Sequence, residues 1–345
     1  MKKKVGVIGA GNFGTAISML LSKNTEVYLY SRQLEVVDNI NRSHRHLSNE
    51  LAENIIGIGD IEKVCTECDI LFIAVPSKEF LNLLNTCNTF LTPRHIVIHC
   101  IKGFEIRKGP AHLYEISRFE NLPIRTMSEV LQRETNVVRI GCLSGPNLSS
   151  EILQGLPAAT VIASSYDEVI KVGKELLNQP NFKVYGSHHL KGTEIAGALK
   201  NIIAIASGLV NGQKLGKNLE AIILTKGIRE VLVIGKSLDI LPNAFLGLAG
   251  IGDLIATATS KQSRNYYFGF QIGESKNIDQ VISQNEDLIE GVTTTEIIYN
   301  YCIKLGLDCP IVQMVYDVVF NKIEVEKAVS NIYESNADDD VDFML

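Results

Sequence analysis

The chain has no surplus of positive charge, no long apolar run and no cysteine pairing pattern, and each absence removes a class of function. Lys and Arg number 33 against 39 Asp and Glu, a net charge of −6. A nucleic-acid-binding surface generally carries a basic excess, so no nucleic-acid partner is expected. No unbroken apolar stretch of about 18 residues is present, so no membrane span is expected. The basic start Lys2-Lys3-Lys4 leads into an apolar run at residues 5–8, but Gly9, Gly11, Asn12 and Gly14 interrupt it too early for a secretory signal. The 7 cysteines are odd in number and scattered, which suits a reducing compartment better than a disulfide framework. A soluble, cytoplasmic protein is the expectation. Cys65-Thr66-Glu67-Cys68 has redox or zinc spacing but no second pair, so ordinary packing is expected there. His44, His46, His188 and His189 lie in polar stretches and are expected to face solvent. No metal site can be assembled from these residues, and repeats and low-complexity linkers are missing too.

What is present organises the chain into two parts, as a length of 345 residues favours. Residues 5–8, 26–30, 70–75, 96–100, 138–142 and 160–163 read as strands, most of them unbroken apolar runs. Continuous rather than alternating hydrophobicity is what a parallel sheet covered on both faces requires. Helical stretches between them predict βαβ units and an α/β Rossmann-type doubly wound sheet. From Leu190 the period changes: Ile195, Leu199, Ile202 and Ala206 recur at helical steps. Further helices are predicted over 219–238, 251–259, 293–305 and 311–320. The expected domains are therefore 1–186, binding a dinucleotide, and 187–334, all-helical. An acidic tail over 335–345 is expected to be disordered.

Gly9-Ala10-Gly11-Asn12-Phe13-Gly14 follows the first strand and opens a helix. In that context the first glycine allows the tight turn and the second lets a pyrophosphate approach the backbone. The third lets helix and strand pack closely, and the helix N-terminus faces the phosphates. Gly9, Gly11, Asn12, Phe13 and Gly14 are thus cofactor candidates. An NAD-selective fold usually carries an acid at the end of the second strand, but this chain has Tyr30-Ser31-Arg32-Gln33. The Ser31 hydroxyl and Arg32 guanidinium suit a 2′-phosphate, which favours NADPH without barring NADH. A solvated loop cation is the plainer reading of Arg32.

Five strings narrow the chemistry: Ala74-Val75-Pro76-Ser77, His99-Cys100-Ile101-Lys102-Gly103, Ser144-Gly145-Pro146-Asn147, Gly197-Ala198-Leu199-Lys200-Asn201, and Gly247-Leu248-Ala249-Gly250-Ile251-Gly252-Asp253 followed by Gln262-Ser263-Arg264-Asn265. With Glu290-Gly291-Val292 and Cys309-Pro310-Ile311-Val312, they resemble the bacterial-type NAD(P)-dependent glycerol-3-phosphate dehydrogenases, over about residues 4 to 322. The resemblance implies an oxidoreductase acting on dihydroxyacetone phosphate or sn-glycerol 3-phosphate, working as a homodimer and supplying phospholipid synthesis. It implies that Lys200 is the catalytic lysine, with Asp253 beside it. Lys102 would touch both substrate and cofactor. Ser263, Arg264 and Asn265 match the substrate-phosphate motif, and Arg264 would also approach the cofactor. Gly145 and Asn147 would contact substrate, with Ser149 near the cofactor. Leu288 and Glu290 fall on a loop over the dinucleotide. Thr257, one turn past Asp253, is a further substrate-side candidate.

The residue types fit ketone reduction. Hydride belongs to the cofactor, so the protein must orient both reactants and supply a proton. Lys200 can do the latter, and Lys102 can stabilise charge growing on the oxygen. Plainer readings remain open on the residues alone. Lys200 could snorkel at the surface, Asp253 could cap a helix over 254–259, Arg264 and Asn265 could be solvated, and Thr257 could simply pack. Two departures from the family pattern stand out. The stretch 107–124 is longer than the usual connection, and Asn147 stands where Ser is more common. Competing functions are another two-domain ketone or hydroxyacid reductase, and a non-catalytic dinucleotide sensor. A preference for phosphorylated substrate separates the first, and the presence of both lysines argues against the second.

Overall fold

A computed structural model describes residues 4–105, 124–275, 277–285 and 289–333. The expected disordered tail at 335–345, the candidate Leu288 and the longer connection at 107–124, save for Ile124, lie outside the described residues. The chain divides into two compact units, Met1–Ala198 with Ile240–Ala256, and Leu199–Asp239 with Thr257–Leu345. The division falls inside a helix, beyond the 186/187 boundary expected from the sequence.

The first unit is built on an eight-stranded sheet. Its strands are β1 (Lys4–Ile8), β2 (Glu26–Tyr30), β5 (Ile55–Ile58), β6 (Ile70–Ile73), β7 (Ile96–His99), β8 (Arg139–Ser144), β9 (Ala158–Ser164) and β10 (Phe182–Ser187), with β3 (Arg45–His46) and β4 (Asn49–Glu50) forming a separate hairpin. The order is β10-β9-β8-β7-β6-β1-β2-β5. Helices α1 (Asn12–Leu21), α2 (Leu34–Ser43), α3 (Ile61–Glu67), α4 (Ser77–Cys87), α5 (Met127–Glu134), α6 (Ser149–Leu153) and α7 (Asp167–Leu177) connect the strands. Alternate residues of β1 serve two cores: Val5 and Val7 join Ile17, Leu21 and Phe72 on one face, while Ile8 joins Leu71, Ile73 and Phe80 on the other. Both faces are therefore dry, which is why the central strands read as unbroken apolar runs.

One strand departs from the parallel pattern of the rest. β9 runs antiparallel to β8, pairing Cys142 with Ala163. The link between them holds only the single-turn α6. Cys65 and Cys68 are fully buried in the second core, and burial pushes the Cys68 thiol up to about 12, so packing is the role observed for them.

The second unit is helical. It takes the later part of α8 (Leu190–Gly212) and α9 (Lys217–Ser237), the end of α10 (Asp253–Ala258), then α11 (Arg264–Glu274), α12 (Ile278–Asn285), α13 (Glu290–Leu305), α14 (Pro310–Val319) and α15 (Val325–Tyr333). By length and composition α8 could cross a membrane, an exception to the sequence expectation, yet 94% of the qualifying window is buried inside the protein. Lys200, Asn201 and Asn211 interrupt it, so no unbroken apolar run marks it in the sequence. Gly208 and Gly212 of α8 meet Gly269 and Gly273 of α11 so closely that a Cβ on any of them would strike the backbone of the opposing helix. Only glycine permits that approach.

Glu230 of α9 is buried, and its carboxylate accepts the backbone N–H groups of Ile311 at 2.5 Å and Val312 at 3.0 Å, in the first turn of α14. Burial dominates and pushes the carboxyl up from 4.5 to about 8. A raised folded-state pKa means that stability from this group is full below about 4.5 and is lost as pH rises to about 8. Each pH unit crossed removes up to about 1.4 kcal/mol. Glu230→Gln should flatten that limb: melting temperature followed from pH 5.5 to 8.5 should fall less in the variant. An identical slope in both proteins would dismiss Glu230 as its source.

Candidate functional site

The glycine turn at the end of β1 has the geometry its spacing predicts. Gly9 has φ +113, and a Cβ there would sit 2.5 Å from the Ala74 carbonyl. A Cβ on Gly14 would collide with the Gly9 carbonyl, so this helix–strand contact demands glycine. Gly11 is the opposite case, with nothing within 4 Å of where its Cβ would stand. Gly11 also N-caps α1 without any side-chain cap. Open backbone at Gly11 and uncapped N–H groups on α1 fit a dinucleotide pyrophosphate. Asn12 is exposed on the first turn, and Phe13 packs partly against the sheet core.

At the end of β2, the buried Ser31 accepts the Gln33 N–H at 3.1 Å. Arg32 projects outward with its side chain 76% exposed and pairs with Glu79 at 3.1 Å. A pair so exposed is weak, which leaves the guanidinium able to exchange partners. The expectation that His46 faces solvent is corrected. It is half-buried, and its Nε2 lies 2.6 Å from the Ala10 carbonyl, tying the β3–β4 hairpin to the glycine turn. His44 is also half-buried, whereas His188 and His189 are exposed as expected.

Lys102 lies just beyond β7. Its ammonium donates to Asp253 Oδ2 at 2.5 Å and to the Gly145 carbonyl at 3.3 Å. Asp253 is 1% exposed. A π-helical turn at Leu248–Gly252 runs directly into α10 and presents it. Leu248 and Ala249 of that turn pack on Cys142, Val161 and Ala163 of β8 and β9, fixing the carboxylate to the sheet. Gly145, with φ +148, leaves β8 in a conformation that favours glycine. The Asn147 amide lies 2.8 Å from Thr160 Oγ1. Ser149 opens α6 and is half-buried. The residues Lys102, Gly145 and Asp253, far apart in sequence, thus form one cluster.

In the helical unit, Lys200 is only 6% exposed, which removes the snorkelling alternative. Its ammonium donates to Thr257 Oγ1 at 2.5 Å. Next to it in sequence, Asn201 Oδ1 accepts the Asn265 amide at 3.0 Å, and Asn265 Oδ1 in turn accepts the Gly291 N–H at 2.9 Å. Asn265 therefore joins α8, α11 and the first turn of α13, where Glu290 sits half-buried. Ser263 N-caps α11, accepting the Tyr266 N–H at 3.3 Å, and Arg264 stands exposed beside it. A capping hydroxyl still has its hydrogen to donate, so Ser263, Arg264 and the start of α11 can together receive an anion. Asn201 was quoted in the sequence strings without a role; its adjacency to Lys200 was the available signal.

A doubly wound sheet with an open glycine turn, accompanied by a helical unit holding a buried lysine, is the architecture of a nicotinamide-dependent dehydrogenase. The comparisons with known proteins are more specific. The family model for the N-terminus of NAD-dependent glycerol-3-phosphate dehydrogenase matches residues 4–170, and that for its C-terminus matches residues 189–330. The chain belongs to the NAD-dependent glycerol-3-phosphate dehydrogenase family. It is 34% identical over 340 residues to glycerol-3-phosphate dehydrogenase [NAD(P)+] of Staphylococcus aureus, covering 96% of this chain and 98% of that one. Among solved structures, glycerol-3-phosphate dehydrogenase from Coxiella burnetii has a TM-score of 0.85 at 26% identity, covering 97% of this chain and 99% of that one. A ketopantoate reductase from Ralstonia eutropha shares the fold at a TM-score of 0.55 and 13% identity, covering 96% and 99% of the two chains. The similarity to the alternative reductase class is therefore one of fold alone.

Proposed function

We propose that this chain interconverts dihydroxyacetone phosphate and sn-glycerol 3-phosphate with NAD(P), supplying glycerol 3-phosphate for phospholipid synthesis as a cytoplasmic homodimer. The observation that carries the residue assignment is the burial of Lys200, 6% exposed and held by Thr257. Residues 1–186 serve the cofactor and 187–334 the substrate. The nicotinamide, when bound, supplies or accepts the hydride. Lys200 gives a proton to the C2 oxygen on reduction and takes it back on oxidation. Lys102, steadied by Asp253, stabilises charge on that oxygen. Gly145 and Asn147 border the substrate, Thr257 fixes the Lys200 ammonium, and Ser263, Arg264 and Asn265 hold the phosphate. Gly9, Gly11, Asn12, Phe13 and Gly14 receive the pyrophosphate side of the cofactor. Ser149, Leu288, Glu290 and Arg264 complete its surroundings. Oxidation of NADH or NADPH by the purified protein should proceed with dihydroxyacetone phosphate and not with unphosphorylated dihydroxyacetone; turnover of both ketones alike would reject the phosphate assignment.

NADPH is the favoured cofactor in this reading, with NADH also used. Ser31 and Arg32 support it, since a cation and a hydroxyl stand where NAD-selective folds place a carboxylate. A charge-assisted bond to the 2′-phosphate is worth about 1.5–3 kcal/mol. Arg32→Asp should therefore lower kcat/KM for NADPH by roughly ten- to hundredfold and leave NADH within about twofold. Equal losses with both cofactors would remove Arg32 from the discrimination.

A further inference from the structure

Ser144, the last residue of β8, is 3% exposed. Its backbone carbonyl accepts the Thr160 hydroxyl at 3.1 Å. Its own hydroxyl has no hydrogen-bond partner among the described residues. A buried hydroxyl in that state destabilises the fold that keeps it, and such groups are rare enough to need a reason. Its direction supplies one. Ser144 Oγ lies 3.0 Å from where a Cβ would stand on Gly197, and Cγ and Cδ of Lys102 lie 3.7 and 4.0 Å from the same point. The hydroxyl, the Lys102 stem and the bare α8 backbone at Gly197 are immediate neighbours, packed too closely for a Cβ at Gly197 to enter without a shift. The Lys102 ammonium next to it is held by Asp253 and the Gly145 carbonyl.

The chemistry of the ligand gives such a hydroxyl a use alongside the Asp253 carboxylate and the Gly145 carbonyl. The phosphate and the C2 oxygen of dihydroxyacetone phosphate are acceptors, matched by ammonium, guanidinium and helix N–H donors. The C1 hydroxyl is a donor as well, and an ammonium or a guanidinium cannot accept from it. A serine hydroxyl can both accept and donate. We propose that Ser144 Oγ binds the C1 hydroxyl of the three-carbon substrate and so sets specificity for a hydroxymethyl ketone over a methyl ketone. This rests on the reading of Lys102 as a substrate contact.

The test uses Ser144→Ala in the full-length enzyme with two ligands: dihydroxyacetone phosphate as substrate, and hydroxyacetone phosphate, which carries a methyl group in place of the C1 hydroxymethyl, as competitive inhibitor. The variant should melt at or above the wild-type temperature, because it loses an unpartnered polar group. KM for dihydroxyacetone phosphate should rise about tenfold, with Ki for hydroxyacetone phosphate and the NADH dissociation constant unchanged. An equal rise for both three-carbon ligands overturns the proposal. So does a weakened NADH with both substrate constants intact, which would place the nicotinamide carboxamide there instead. Lys102→Met separates the two levels of inference. If it leaves both three-carbon ligands unaffected, the substrate-site reading itself fails. If it weakens both while Ser144→Ala weakens neither, the Ser144 assignment alone falls.

Discussion

Lys200→Ala should lower kcat by about a hundred- to ten-thousandfold, the range that general acid–base catalysis by one side chain supplies, while NADH binding stays within about twofold. The split follows from where the residue sits. Lys200 is in α8 and its ammonium engages Thr257 of α10, whereas the turn proposed for the cofactor is formed by Gly9, Gly11 and Gly14 in the sheet unit. Truncation leaves a void in a buried position, so Lys200→Met, which keeps the stem and removes only the charge, is the companion variant. Its melting temperature, measured beside that of the wild type, checks that the variant is folded. A stable Lys200→Met protein with wild-type kcat would end the assignment. A stable, inactive one with intact NADH binding is the expected outcome. KM for dihydroxyacetone phosphate should change less than kcat, because a proton donor contributes mainly in the transition state.

The parts legible in the sequence were those whose physics is local. β1, the glycine turn and β2 follow from an apolar run, a fixed glycine spacing and a second apolar run, and each is found where expected. Strand β10 was not recognised, because Phe182 and Val184 are buried while Lys183 and Tyr185 are exposed, the alternation of an edge strand rather than the unbroken run of a central one. β5 is short, contains Gly57 and lies at the other edge. The antiparallel course of β9 is a matter of how it pairs with β8, which hydropathy does not encode. The segment 240–256 belongs to the sheet unit although helical chain precedes and follows it. Its Pro242 and glycine-rich π-helical turn give no period to read, so the placement of Asp253 against β8 and β9 is a tertiary fact. In the same way, the resemblance set Asp253 beside Lys200, but the bridge from Asp253 to Lys102 spans 151 residues and has no local signature. Individual candidate residues could be named from short strings; their partners in the structure could not.

That bridge yields the second large effect. Asp253→Asn keeps the shape of the side chain and removes its charge, and kcat/KM for dihydroxyacetone phosphate should fall about hundredfold, roughly 2.7 kcal/mol of transition-state stabilisation. The cause is electrostatic positioning. Asp253 is nearly inaccessible, with its side chain 2% exposed, while that of Lys102 is 20% exposed. The carboxylate is therefore the fixed member, and it anchors an ammonium that also reaches the Gly145 carbonyl at 3.3 Å. Without the carboxylate, the partly exposed ammonium can turn towards water, and its charge no longer stands where the C2 oxygen needs it. A buried carboxylate is little screened by salt, so the wild-type kcat/KM advantage over Asp253→Asn should persist at high ionic strength. The two residues should also act as a unit. A Lys102→Met, Asp253→Asn double variant should be no slower than Lys102→Met alone, because the part Asp253 plays in placing the Lys102 ammonium is then already lost. Losses that multiply in the double variant would mean that Asp253 acts on the reaction independently of Lys102, and the positioning role would be lost.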